Sequence, residues 1–218
     1  MMDVTDRELV FPGRILGEGI ERSGNSFREG RNVFSSIDGM ARVKGNAASV
    51  IPFRGGYTPK ESDVIIGIVS QVLRGSWLID IGSFSKAYMR GEEVTRDALN
   101  SDLSKYFKIG DLISAKISEV NELKSSQLMR PWKLEEGLII DVNPKKIPRV
   151  VGKKRSMLNM IKDKTGCKIV VGQNGRVWLK GNNIEIAIKA IRKIEREAQS
   201  RGLTDRIEKF LSNELQSR

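Results

Sequence analysis

The run that most constrains this chain is Gly110 to Val120. After Gly110-Asp111, residues Ile113, Ala115 and Ile117 alternate with Ser114, Lys116 and Ser118. A side-chain period of two places the apolar set on one face and the polar set on the other, so Leu112 to Val120 is expected as a long, half-buried strand. Such a strand buries its apolar face only against further strands, and these precede it. Asp63 to Val69 is a compact apolar run, Ser76 to Ile81 follows the turn Arg74-Gly75, and Lys86 to Arg90 comes next. A polar stretch then leads to a single expected helical turn over Leu103 to Phe107. About five strands with a short helix before the fourth predict a five-stranded OB-fold barrel over residues 63–127.

The chain on either side has a different texture. Residues 1–58 are punctuated by Pro12-Gly13, Gly17-Glu18-Gly19, Ser23-Gly24-Asn25, Asp38-Gly39, Gly45-Asn46 and Gly55-Gly56, with short apolar runs between them. That spacing predicts a β-rich N-terminal docking domain, with a tight hairpin at Gly45-Asn46. Tyr57 to Ser62 is polar, contains Pro59 and reads as a linker. Residues 137–200 are mixed. Gly137 to Val142, Pro148 to Val151, Lys168 to Val171 and Val177 to Lys180 read as strands. Lys154 to Lys164 reads as a helix with Met157, Leu158 and Ile161 on one face. Asn183 is placed to cap a helix whose stripe is Ile184, Ala187, Ile188, Ile191, Ile194 and Ala198, and Gly202 ends it. A C-terminal amphipathic helix fills 203–218. The expected fold class is therefore multidomain: a β-rich domain, a five-stranded barrel, and an α/β domain followed by a helix.

Composition narrows the function. The 218 residues carry 38 Lys and Arg against 27 Asp and Glu, a net charge of +11, with a pI near 9.8. A surplus of that size draws polyanions, of which nucleic acid is the commonest in a cell. Histidine, the usual proton-transfer agent near neutral pH, is absent. The single Cys167 leaves no internal disulfide and no Cys-based zinc site, which points to a reducing, cytoplasmic compartment. Asp80 and Asp111 stand alone in the sequence. The reading is a non-enzyme, with no catalytic residue, metal or cofactor expected, and with no apolar run long enough to span a membrane.

Two groups of residues suit RNA. On the barrel, Phe84 and Tyr88 interleave with Arg74, Lys86 and Arg90, combining faces for base stacking with cations for phosphates. Trp77, beside Ile79 and Ile81, is expected in the core instead. The second group is Lys145, Lys146, Arg149, Lys153, Lys154 and Arg155, six cations in one acid-free window around Gly152. A glycine turn into a helix lets backbone N–H groups approach phosphate. A third feature, Gly172-Gln173-Asn174-Gly175, reads as a structural turn in which Gly172, Asn174 and Gly175 tolerate unusual backbone angles.

Family patterns run through the same residues. Gly67 to Ile81, together with Phe107-x-x-Gly110-Asp111-x-Ile113-x-Ala115-x-Ile117, resembles the OB-fold RNA-binding domain named after the largest ribosomal small-subunit protein. Residues 137–200 resemble a KH domain, with Gly152-Lys153-Lys154-Arg155 at the Gly-x-x-Gly loop and Arg155 in the second glycine's place. Phe11-Pro12-Gly13, Phe27-Arg28-Glu29-Gly30, Val43-Lys44-Gly45-Asn46, Val50-Ile51-Pro52 and the Gly-x-Asn-Gly motif at 172–175 make the chain similar to archaeal exosome RNA-binding cap subunits of the Rrp-four type. That resemblance implies an N-terminal domain docked on a hexameric phosphorolytic ring, with three cap copies around its pore. It implies capture of single-stranded RNA, fed 3′ end first to ring subunits that degrade or process it. It also implies that the 172–175 motif packs the KH domain on the barrel. The rival reading is a Nus-type transcription elongation or termination factor, which also places an OB domain before KH.

Overall fold

The structure is a computed structural model that describes residues 1–53, 55–200 and 202–216. It divides into two compact units, Met1–Gly55 and Gly56–Arg218. The first holds seven short strands: β1 (Leu9–Val10), β2 (Ile15–Glu18), β3 (Glu21–Arg22), β4 (Ser26–Glu29), β5 (Asn32–Ser35), β6 (Gly39–Lys44) and β7 (Ala47–Pro52). They form a four-stranded sheet in the order β1-β6-β7-β3 and a three-stranded sheet in the order β2-β5-β4. Between them lies a small core of Val10, Leu16, Ile20, Val33, Ala41, Ala48 and Val50. The β6–β7 hairpin turns on Gly45-Asn46, where Lys44 faces Ala47 across the register.

The second unit opens with a closed barrel of β8 (Val64–Leu73), β9 (Ser76–Asp80), β10 (Ala87–Arg90), β11 (Leu112–Val120) and β12 (Ser126–Lys133), in the order β10-β12-β11-β8-β9. A 3₁₀ turn at Leu103–Lys105 precedes the fourth strand, as the sequence predicts for an OB fold. The alternation of β11 is the cause of its packing: Ile113, Ala115 and Ile117 enter the core with Ile65, Val69, Trp77, Ile79, Met89 and Leu128. Trp77 is fully buried, and its indole N–H donates to the Phe107 carbonyl at 3.0 Å, so the polar atom it carries inward is satisfied. The closing strand runs to Lys133, past the expected end at 127; the whole of Ser126–Lys133 lies along β11.

The remaining elements are β13 (Leu138–Asp141), α1 (Ile147–Val151), α2 (Ser156–Thr165), β14 (Lys168–Val171), β15 (Arg176–Lys180), α3 (Ile184–Glu197) and α4 (Leu203–Gln216). The antiparallel sheet β13-β15-β14 is covered by the helices around a core that includes Val150, Leu158, Ile161, Val177, Leu179, Ala187, Ile191 and Ile194. α4 also commits its apolar stripe to that core, through Leu203, Ile207 and Leu211. The expected helix end at 217 and 218 lies outside the described residues.

Three expectations need correction. Pro148 to Val151 is helix α1, not a strand: Pro148 sits in the first turn, where its missing N–H costs nothing, and Val150 turns into the core. α2 begins at Ser156, because Lys154 and Arg155 are both left-handed, at φ 52° and 64°. Asn183 makes no side-chain cap on α3; its amide instead donates to the Thr165 carbonyl at 3.1 Å.

Candidate nucleic-acid interface

The barrel group forms a strip along β10. Strand alternation buries Ala87 and Met89 and turns Tyr88 and Arg90 outward. Arg90 pairs with Ser76, beside the hairpin turn that carries Arg74, and the loop before Ala87 carries Lys86 and Phe84. Phe84 is 76% exposed and Tyr88 is 49% exposed, which leaves both rings open to a stacking partner. The loop is tied to the β11–β12 turn: the Ser85 hydroxyl donates to the Leu123 carbonyl and the Ser125 hydroxyl to the Lys86 carbonyl. Tyr88 and Arg90 line a cavity of about 280 Å³ with Glu119, Asn121, Ser125, Ser126 and Gln127. Within it the buried Ser126 hydroxyl has no hydrogen-bond partner among the described residues.

The second group surrounds α1. The Asn143 side chain accepts from the Lys145 N–H and fixes the 3₁₀ turn Pro144–Lys146. Lys146 is anchored, its ammonium donating to the Glu195 carbonyl at 2.9 Å. Gly152, at φ 75°, ends α1, and a Cβ there would stand 2.7 Å from the backbone N and the Cβ of Met157. Only glycine brings the two helices this close. Arg149, Lys153, Lys154 and Arg155 are exposed beyond it. Lys145, Gly152 and Arg155 line a cleft of about 770 Å³ floored by β14, and no residue of the barrel strip lines it. The structure thus sorts the proposed residues into two patches.

The third motif lies between the patches in the chain's logic and inside the protein in space. Gly172–Gly175 joins β14 to β15, with Asn174 only 5% exposed. Its side-chain oxygen accepts from the Ile66 N–H at 3.2 Å; its amide donates to the carbonyls of Ile66 at 2.8 Å and Ile81 at 2.9 Å. Gln173 exchanges two more hydrogen bonds with Val64. A Cβ on Gly172 would collide with the Asn174 side-chain oxygen and stand 2.8 Å from the Ile66 nitrogen. Next to the turn, Arg176 donates to the Asp80 carbonyl at 2.7 Å and to its carboxylate at 2.6 Å. Burial alone would raise the Asp80 carboxyl, but the Arg176 guanidinium and the Gly82 N–H outweigh it and hold it below the usual carboxylate range. Ile66, Leu134 and Trp178 pack into an apolar cluster at the same junction.

Sequence reasoning missed these partners. Asp80 and Asp111 are not alone: Asp111 pairs with Lys133 at 2.5 Å, as Asp80 does with Arg176. It also missed Lys60 and Lys162, which line the cleft but stand singly in the sequence. Among the described residues there is no cluster of three or more acids or cysteines able to hold a metal. No helix is long and apolar enough to cross a membrane.

A KH domain family profile matches residues 137–185. The chain is 41% identical over 225 residues to the exosome complex component Rrp4 of Thermococcus kodakarensis, covering 97% of this chain and 88% of that one. Its identity to the Rrp4 of Methanothermus fervidus is 38%, covering 99% of this chain and all of the other. The chain belongs to the Rrp4 family of exosome components. A crystal structure of a protein described as an exosome complex RNA-binding protein superposes with a TM-score of 0.67 at 34% identity, covering 75% of this chain and 99% of that one. Membership of the Rrp4 family sets aside the Nus-type alternative.

Proposed function

We propose that this Rrp4-family chain is a non-catalytic RNA-binding cap subunit of a cytoplasmic exosome, which captures single-stranded RNA and passes its 3′ end to a hexameric phosphorolytic ring. The observation that carries the reading is the Asn174 junction, which fixes two cationic surfaces of RNA-binding type in one compact unit. The barrel strip offers Phe84 and Tyr88 to bases and Arg74, Lys86 and Arg90 to phosphates. The second surface offers Lys145, Lys146, Arg149, Gly152, Lys153, Lys154 and Arg155. Phosphate contacts of this kind position a strand without reading its sequence. Residues 1–55 are assigned to ring docking. Leu9 and Phe11 stand well exposed there, and Phe27 stacks on Phe34 with ring centroids 5.3 Å apart, giving that unit an outward apolar surface.

The test mixes the chain with archaeal ring subunits and follows size exclusion with light scattering, then RNA degradation in phosphate. The expected result is co-elution, with three copies per hexamer, and tighter RNA capture by the assembly. The isolated chain should release no nucleoside diphosphate from RNA. Failure to co-elute, or phosphorolysis by the chain alone, overturns the reading.

A further inference from the structure

The three-stranded KH sheet has two edges, and they differ in what they face. β14 supplies Ile169 and Val171 to the cleft beside α1. β13 ends the sheet on the far side. The Val142 N–H donates to the Gly175 carbonyl at 2.8 Å, and β13 pairs with β15 in an unbroken antiparallel register. Hydrogen-bonded pairs alternate along such a ladder, so Ile140 and Leu138 also bond toward β15. Ile139 and Asp141 then direct their backbone groups outward. Arg192 takes one of these, donating to the Asp141 carbonyl at 2.6 Å. The Ile139 N–H, the Ile139 carbonyl and the Asp141 N–H have no partner among the described residues.

Sheet edges are ordinarily blunted by a lysine, a proline, a bulge or a covering element. β13 reads Leu-Ile-Ile-Asp, has no register break and leaves Leu138 46% exposed. Charge says what this edge accepts. The Glu136 and Asp141 carboxylates flank it, both exposed and neither in an ion pair or hydrogen bond among the described residues. Arg192, the cation that reaches the edge, is itself held by Glu195 at 2.9 Å. In a chain of net charge +11 this is a local acidic rim, which repels phosphate and attracts lysine and arginine. A second copy of the chain fits it poorly. Antiparallel self-pairing centred on Ile139 would set Asp141 of one copy beside Glu136 of the other, and like charges across paired strands are destabilising.

We infer that the free edge of β13 is a strand-addition site for an extended, basic segment of a partner protein. The segment's backbone completes the ladder at Ile139 and Asp141, and its lysine or arginine side chains meet Glu136 and Asp141. In strand addition the main-chain bonds supply affinity and the side chains select the partner. Gly137 to Asp141 spans about 17 Å at roughly 3.4 Å per residue, the usual length of one strand. The edge lies across the sheet from the cleft beside α1, so a peptide there leaves that cleft open. The inference does not depend on the RNA-binding reading above; it adds a protein partner to it.

The experiment follows amide hydrogen exchange in the full chain by NMR as a capped hexapeptide, Lys-Val-Thr-Val-Thr-Lys, is added. The same peptide with Glu in place of Lys is the control. At saturation the Ile139 and Asp141 amides should exchange about tenfold more slowly, while the Ile140 amide, already bonded to β15, should not change. The double variant E136K/D141K turns two favourable cross-strand charge pairs into unfavourable ones and should bind the lysine peptide roughly tenfold more weakly. L138K puts a lysine on the edge and should also weaken binding, with an unchanged unfolding midpoint. No protection by the lysine peptide, or equal protection by the glutamate peptide, overturns the site. So does undiminished binding by E136K/D141K. Protection of the two amides by a short oligoribonucleotide would hand the edge to RNA. Protection that rises with the concentration of the chain alone would hand it to a second copy. Either result overturns the assignment to a basic partner.

Discussion

Gly152–Arg155 and Gly172–Gly175 are both four-residue turns that begin on glycine, one joining α1 to α2 and the other β14 to β15. They differ in what surrounds them. The second is buried except at Gln173, and every polar atom of the Asn174 side chain is matched by barrel backbone. The first is exposed, and the side chains of Lys153, Lys154 and Arg155 meet no partner in the described fold. A turn whose bonds are all internal contributes to stability. A turn that keeps charge free and backbone strained contributes little to stability and leaves binding capacity at the surface. On the function proposed above, the KH domain separates holding from binding between two short loops, and the two should respond to mutation in opposite ways.

The largest effect is expected at the buried turn. Asn174→Ala would leave the Ile66 N–H and the Ile81 carbonyl unpartnered inside the junction, and would leave the Ile66 carbonyl only its 3.4 Å bond from Arg176. At about 1–3 kcal/mol for each of the two buried groups left unsatisfied, the loss should be about 2 kcal/mol or more. Chemical denaturation should show the loss, with the barrel and KH domain unfolding in separate transitions. A single transition shifted by less than about 0.5 kcal/mol, the scale of an ordinary surface change, would break the comparison.

The mirror experiment neutralises the exposed turn. K153Q, K154Q and R155Q combined should leave the unfolding midpoint within that same surface range, about 0.5 kcal/mol. RNA affinity should fall by about tenfold or more, nearly equally for different sequences, and the salt slope by about 0.7 for each phosphate no longer held. Fluorescence anisotropy over a salt series reads both. An unchanged slope would show that the turn does not meet phosphate.

The sequence made parts of this contrast visible and hid others, for reasons that lie in range and length. β11 was legible because the strict alternation of the six residues Ile113 to Ser118 leaves one way to bury an apolar face. The six cations around Gly152 were legible because charge needs no partner to be seen. α1 was not, since five residues are too few to show a helical period and Val150-Val151 suggests a strand. The Asn174 junction could be inferred only by resemblance, because its partners at Ile66 lie 108 residues away in the chain. Arg155 was visible as a departure from glycine, but its left-handed backbone was not. Lys60, set in what reads as a linker, gave no sign that it faces a cleft.

A third, smaller effect tests whether the barrel strip shares the binding task. Tyr88→Ala and Phe84→Ala each remove an exposed ring, and a stacked base is worth about 1–3 kcal/mol. The expected result is weaker RNA binding at an unchanged salt slope, because no cation is removed. Tyr88→Phe should bind like the parent. A slope that changes with Tyr88→Ala would mean that the ring orients Arg90, not that it stacks.

The smallest effect is electrostatic and belongs to the junction. Asp80 is held below its ordinary value of 3.8: burial opposes its charge, but Arg176, the Gly82 N–H and Lys86 outweigh it. A carboxyl depressed on folding adds stability that is complete above its ordinary value and is lost as the pH falls through the lower, folded one. The Asp80 side chain is 44% exposed, so the pair belongs with surface ion pairs worth about 0–1 kcal/mol. Removing its charge also leaves Arg176 bonded to the backbone carbonyl of Asp80. Asp80→Asn should therefore be slightly less stable than the parent at neutral pH. The two should converge as the pH falls through the parent's depressed, folded value, below which its carboxyl is itself protonated. Thermal unfolding of both proteins across that interval measures the difference. A gap that persists in acid would assign the cost of Asp80→Asn to packing at the junction and not to the ion pair.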